Sequence, residues 1–213
     1  MGDIYNILIT GIEGQGISLL GNILRIYGTK PPFIKNVVGT DIRENGSLVA
    51  TIRYLMEVRN FTLEQGYNID ELISPRIPIN DAHLVLGMEP LETLRNLKYI
   101  SEKTVVILNT HKIIPENDYS NSEKKKNYPS VARIIDIIDQ LARRVIFLDF
   151  NELSNIKFNS SNYASCILFG VGAKELMYFL DKNLIKSILQ QVIDDSNLHI
   201  EAFEFGYNLV NEL

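Results

Sequence analysis

Cysteine is nearly absent from this 213-residue chain, and the single Cys166 excludes an internal disulfide. It equally excludes an iron–sulfur cluster held by this chain alone, because such clusters are gripped by several thiolates. Cys166 lies in the apolar run CILFGVGA, the setting of a buried structural thiol. Histidine is as sparse: His83, His111 and His199 are scattered without ligand spacing, so no metal site is expected. No apolar run approaches the roughly 18 residues of a membrane span. The N-terminus also lacks a basic segment followed by an apolar one, so a cytoplasmic chain with no membrane contact is expected. Basic charge is not in excess either. The net charge is −5, and the only basic cluster, Lys124 to Lys126, sits among Asn, Ser and Glu, a solvated loop rather than a footprint for nucleic acid. Neither a GxSxG nucleophile elbow nor a Walker GxxxxGK[ST] loop occurs, and no self-sufficient catalytic constellation is visible.

What remains is an ordinary globular composition, 46% hydrophobic and 22% charged, long enough for one sizeable α/β domain over residues 1–213. The stretch Ile4 to Ser18, IYNILITGIEGQGIS, reads as strand, tight turn and helix. Its unalternating apolar run suits a strand covered on both faces. Gly11, Gly14 and Gly16 would let the backbone come close to a ligand at the start of the helix. The dinucleotide fingerprint GxGxxG would need glycine at position 13, where Glu13 adds bulk and negative charge, so NAD or FAD binding is disfavoured. A turn that is compact for structural reasons alone stays open as a reading.

Further along, the pattern alternates as in a doubly wound sheet. A helix carrying Leu19, Leu20, Ile23, Leu24 and Tyr27 stops at Gly28, and Phe33 to Val38 reads as a second strand, the neighbour of the first. Gly39 to Ser47 reads as a loop near the glycine turn, followed by a strand over Leu48 to Met56. Residues 57–78 suggest turn and half-helix. Strands follow at Leu84 to Leu86 and Thr104 to Leu108, with a helix from Pro90 through Ile100 between them. Residues 111–129 form a polar loop expected to be mobile, and an amphipathic helix opens at Ser130. Val145 to Phe150 reads as the last strand, followed by three helices, Asn162 to Leu180, Asn183 to Ile193 and Leu198 to Val210.

Ligands of open α/β sheets gather beyond the carboxyl ends of the strands. That edge should bring together Gly11, Glu13, Gly14, Gln15 and Gly16 with Asp41, Arg43, Asn45, Gly46 and Ser47, and with Glu89 and Asn109, as a cofactor-binding edge. Each has a plainer role open to it: Asp41 or Ser47 capping a turn, Glu89 capping the helix it opens, Asn109 satisfying a strand end.

The turn GIEGQG, the segment SPRIPINDAHLVLGMEPLETLR, the strand end VVILNT, and the later LFGVGA and AFEFGY occur in an order that resembles the gamma-type domain of 2-oxoacid:ferredoxin oxidoreductases, most of all in its indolepyruvate form. The resemblance covers nearly the whole chain. It implies a three-layer α/β/α sandwich with a Rossmann-like, mostly parallel sheet and a place in a larger assembly. In that family thiamine diphosphate decarboxylates an arylpyruvate or other 2-oxoacid, clusters pass electrons to ferredoxin, and coenzyme A accepts the acyl group. Thiamine diphosphate and the clusters are implied on a larger partner subunit, with this chain on the coenzyme A side and inactive alone. Homo-oligomerisation is left open. A diverged nucleotide- or coenzyme A-binding module of the same fold is the alternative, and an independent nicotinamide dehydrogenase a weaker one. The chain departs from the family's GxGGQG turn at Glu13 and from its HGMAQRGGS loop everywhere but Gly46 and Ser47. Glu44 replaces the family's arginine, unless Arg43 takes that role by a shift of one residue. Ser165 and His199 stand where the family commonly has asparagine.

Overall fold

The structure, a computed structural model, describes residues 4–56, 74–113 and 128–210. The expectations for 57–73 and 114–127 lie outside these residues. Six strands form one sheet: β1 (Ile4–Ile12), β2 (Ile34–Glu44), β3 (Ser47–Met56), β4 (Leu84–Gly87), β5 (Val105–Asn109) and β6 (Arg144–Leu148). Their order is β2-β3-β1-β4-β5-β6. β1, β4, β5 and β6 pair in parallel, whereas β3 runs antiparallel to both β1 and β2. The sheet is therefore mixed, with β3 alone reversed.

Two expectations fail together here. The first two strands are not neighbours, and the stretch 39–47 is not a loop. β2 continues to Glu44, and Asn45 and Gly46 close a two-residue hairpin in which Glu44 faces Ser47. Both turn residues have positive φ, 50° and 82°, the requirement of a type I′ turn. A two-residue turn returns the chain directly alongside β2, so β3 must be its partner. β3 is buried on nearly every residue while β2 stays half-exposed, so β3 takes the place beside β1 and β2 becomes the edge.

Seven helices complete the described residues: α1 (Ile17–Tyr27), α2 (Pro90–Arg95), α3 (Val131–Asp139), α4 (Phe150–Phe158), α5 (Ala164–Glu175), α6 (Lys182–Val192) and α7 (Asn197–Leu209). Gly28 caps α1, and Ser130 caps α3 by accepting a hydrogen bond from Arg133 N, as the sequence suggests. The helix read through Ile100 instead ends at Arg95, where the Asn96 amide donates to Glu92 O at 2.9 Å and a single 3-10 turn, Leu97–Tyr99, follows. α4 is an addition to the sequence reading. The last strand stops at Leu148, and Asp149 caps a new helix by accepting from Glu152 N at 2.8 Å. The long helix from Asn162 shortens to α5 behind a 3-10 turn at Ser161–Tyr163.

The layers follow from the alternation of the strands. Ile7, Ile9, Leu84, Leu86, Val105 and Ile107 face one core shared with α1, α5, α6 and α7. Leu8, Val85, Val106 and Leu108 face the other, against α3 and the segment carrying Ile77 and Ile100. Ten consecutive residues of α5, Ala164 to Ala173, are buried, which is why this helix reads as a continuous apolar run. Cys166 lies within it, fully buried, and burial pushes its thiol up to about 12.

α5 and α7 cross so closely that a Cβ on Gly206 would stand 2.0 Å from Ile167 O. Backbone, unlike a flexible side chain, cannot move aside for it. Gly206→Ala should therefore destabilise the fold by about 1–3 kcal/mol and lower the thermal midpoint by several degrees, read by calorimetry; an unchanged midpoint would contradict this packing.

Candidate functional site

The glycine turn connects β1 to α1 at the carboxyl edge of the sheet. Gly14 and Gly16 have φ of +89° and +81°, a region that L side chains rarely enter. α1 then opens with no side-chain cap and no acidic residue in its first turn. The turn is stapled by Gln15, whose Oε1 accepts from Ile12 N at 2.7 Å and whose Nε2 donates to Met88 O at 3.0 Å. Met88 N in turn donates to Thr10 O at 2.7 Å. Gly11 lies inside this staple, where a Cβ would come 2.6 Å from Gln15 Oε1.

The hairpin tip docks on the turn. Glu13 N donates to Gly46 O at 3.0 Å, which ties the two loops through the backbone. Alternation along β2 points Asp41 and Arg43 to the α1 side, and Glu44 to the other. Asp41 pairs with Arg25 in the last turn of α1. The Arg43 guanidinium reaches the glycine turn, with Nε 3.0 Å from Glu13 Oε1 and Nη2 3.5 Å from Ser18 Oγ. Arg43, not Glu44, is thus the charged residue delivered to the turn, and the two departures from the family pattern, Glu13 and Arg43, answer each other.

Behind the turn lies a buried polar layer. Ser47 donates to Glu92, which also holds Arg95. Glu89 is 1% exposed and caps α2 through Oε2, accepting from Glu92 N at 2.8 Å, while Oε1 accepts from the Tyr128 hydroxyl at 2.5 Å. Burial raises the Glu89 carboxyl above the ordinary range, and the bonds from Tyr128 and the backbone only partly oppose this. Burial also raises the Tyr128 phenol. Asn109 closes the strand end, its Oδ1 accepting from Phe150 N at 3.0 Å and its amide donating to Asn151 Oδ1 at 2.8 Å and Met88 O at 3.2 Å. The Met88 carbonyl therefore receives both Gln15 and Asn109, linking the glycine turn to the end of β5.

The plainer roles thus hold for Glu89 and Asn109, while the turn and the hairpin tip, from Glu13 to Gly16 and from Arg43 to Ser47, converge as expected. Asp41 does not join them. Sequence reading missed Glu92, Tyr128 and Ser18. The spacing Glu89-x-x-Glu92 after an apolar strand was a legible helix-start signal for the first; the other two carry none. An open depression of about 610 Å3 beside β2, between Arg25 and Pro75, contains none of the twelve expected residues. The gathered groups are backbone amides, hydroxyls, side-chain amides, the buried acids Glu89 and Glu92, and paired arginines. Among the described residues no three His, Cys, Asp or Glu side chains converge to hold a metal.

Fold and site together define a small α/β domain with polar groups gathered at the carboxyl edge of a mixed sheet. The pyruvate ferredoxin/flavodoxin oxidoreductase family model matches residues 6–209, and the chain belongs to that family. It is 27% identical to the indolepyruvate oxidoreductase subunit IorB of Archaeoglobus fulgidus over 95% of this chain and 94% of that one. The IorB subunit of Methanothermobacter thermautotrophicus is also 27% identical, with 98% of each chain covered. Among solved structures, the fold matches pyruvate oxidoreductase subunit PORC of Thermotoga maritima with a TM-score of 0.61 at 12% identity, over 96% of both chains. It also matches 32% of the 2-oxoglutarate:ferredoxin oxidoreductase chain of Magnetococcus marinus, solved with 2-oxoglutarate, coenzyme A and succinyl-CoA, with a TM-score of 0.66 at 13% identity over all of this chain.

Two variants test this geometry. Gly16→Val places a branched side chain at positive φ, with its Cβ 2.5 Å from Ser165 Oγ, and should cost about 1–3 kcal/mol in urea unfolding. Glu89 has a folded-state pKa above its unfolded value, so its contribution is present below the ordinary carboxylate pKa and is lost as pH rises through the raised one. Relative to Glu89→Gln, which keeps an acceptor for Glu92 N, the wild type should lose stability with rising pH across that window. Parallel pH profiles of the two proteins would contradict the assignment.

Proposed function

We propose that the chain is the small subunit of a 2-oxoacid:ferredoxin oxidoreductase acting on indolepyruvate or a similar arylpyruvate. Together with a larger subunit carrying thiamine diphosphate and iron–sulfur clusters, it would convert the 2-oxoacid and coenzyme A to acyl-CoA, carbon dioxide and reduced ferredoxin. The observation that carries this reading is the correspondence with IorB subunits over 94–98% of both chains. The residues present do not fit a cluster: the only cysteine is sealed inside α5 with its thiol pushed up. Electron transfer therefore belongs to the partner.

The glycine turn does fit coenzyme A. The open backbone at Gly14, where a Cβ would meet nothing within 4 Å, and the guanidinium of Arg43 suit a phosphate group, and coenzyme A supplies the thiol that accepts the acyl group. Gln15 and Asn109 hold the turn in place through the Met88 carbonyl.

Tagged chain co-expressed with its candidate large subunit should co-purify with it, and coenzyme A-dependent ferredoxin reduction should appear only in the complex. Robust turnover by the small chain alone, or a chain that never associates, would sink the reading.

A further inference from the structure

Three arginines, Arg25 in the last turn of α1, Arg43 near the end of β2 and Arg95 at the end of α2, are each paired within the chain. Their pairs are not equivalent. Arg25 is matched with Asp41, whose side chain is 20% exposed, and Arg95 with Glu92, which is 7% exposed and also holds Ser47. Breaking either would leave a sheltered carboxylate without its partner. Arg43 and Glu13 are 57% and 53% exposed, so either charge can be rehydrated at once. The backbone bond from Glu13 N to Gly46 O ties the turn to the hairpin tip without help from the ion pair. Glu13 can therefore release Arg43 while the turn and the hairpin keep their places.

We propose that Glu13 is an exchangeable internal counter-anion that occupies Arg43 until a phosphate-bearing ligand at the glycine turn displaces it, making Arg43 the residue that reads ligand charge. This rests on the reading of the turn as a phosphate site. The exchange also explains why an acidic residue is tolerated on an anion-binding turn: its charge is neutralised at rest and swings into solvent on binding. An exposed pair of this kind contributes little, so the resting lock weakens ligand binding by only about two- to fivefold. The structure thus assigns to Glu13 a tuning role, and to Arg43 the direct contact.

Calorimetry on the full-length chain tests this with three probes, inorganic pyrophosphate, coenzyme A and pantetheine. Glu13→Gln should tighten pyrophosphate and coenzyme A by about two- to fivefold and leave pantetheine, which lacks phosphate, unchanged. Arg43→Gln should weaken both phosphate probes, and in the double variant the gain from Glu13→Gln should vanish. A purely structural pair would instead change all three probes alike, or none, and either result overturns the exchange. If coenzyme A binds but Glu13→Gln matches the wild type, the exchange is wrong and the coenzyme A reading stands. If pyrophosphate responds as stated while coenzyme A binds no better than pyrophosphate, the exchange stands and the coenzyme A reading falls. Binding of none of the phosphate probes overturns both.

Discussion

β1 is the seam of this molecule. It pairs antiparallel with β3 on one side and parallel with β4 on the other, so the hairpin half and the parallel half of the sheet meet only through it. Where β1 ends, both halves bind its exit: Met88 N donates to Thr10 O, and Glu13 N donates to Gly46 O. The chain must turn sharply between these two attachments, and the positive φ values at Gly14 and Gly16 are what allow it. The site is a consequence of that constraint. A different exit from β1 would leave the hairpin tip, α1 and the end of β4 without a common point.

Polar groups at this edge separate into a rigid floor and an adjustable rim. The floor comprises Glu89, Asn109 and Glu92, all buried and hydrogen-bonded, and such groups stay ordered because leaving any one unpaired inside the protein is costly. Glu13 and Arg43 at the rim face water and can part cheaply. The glycine turn thus has a fixed base and a solvent-facing ion pair at its mouth.

The proposed place in an assembly agrees with the chemistry of the described residues. Its one cysteine is inside α5, and the buried acid Glu89 caps a helix, so neither is available for redox or proton transfer to a substrate. Membership of an oxidoreductase family fits a place in an assembly, since the curated relatives are named as subunits.

The sequence alone carried the glycine turn, the buried strands β1, β4 and β5, the caps at Gly28, Ser130 and Glu89, and the family, because each rests on local spacing or on a contiguous motif. The Asn45–Gly46 pair was an equally legible hairpin signal that the low apolar content of 39–47 obscured. Helix α4 was hidden because only Phe150 and Ser154 along it are buried, leaving almost no period to read. Strand order was decided by tertiary structure, since local pattern does not say which of two strands lies inside, and the greater burial of β3 placed it against β1. So was the pairing of Glu13 with Arg43. Thirty residues separate them in the chain, and they meet only because the hairpin returns along β1 to the point where the turn begins.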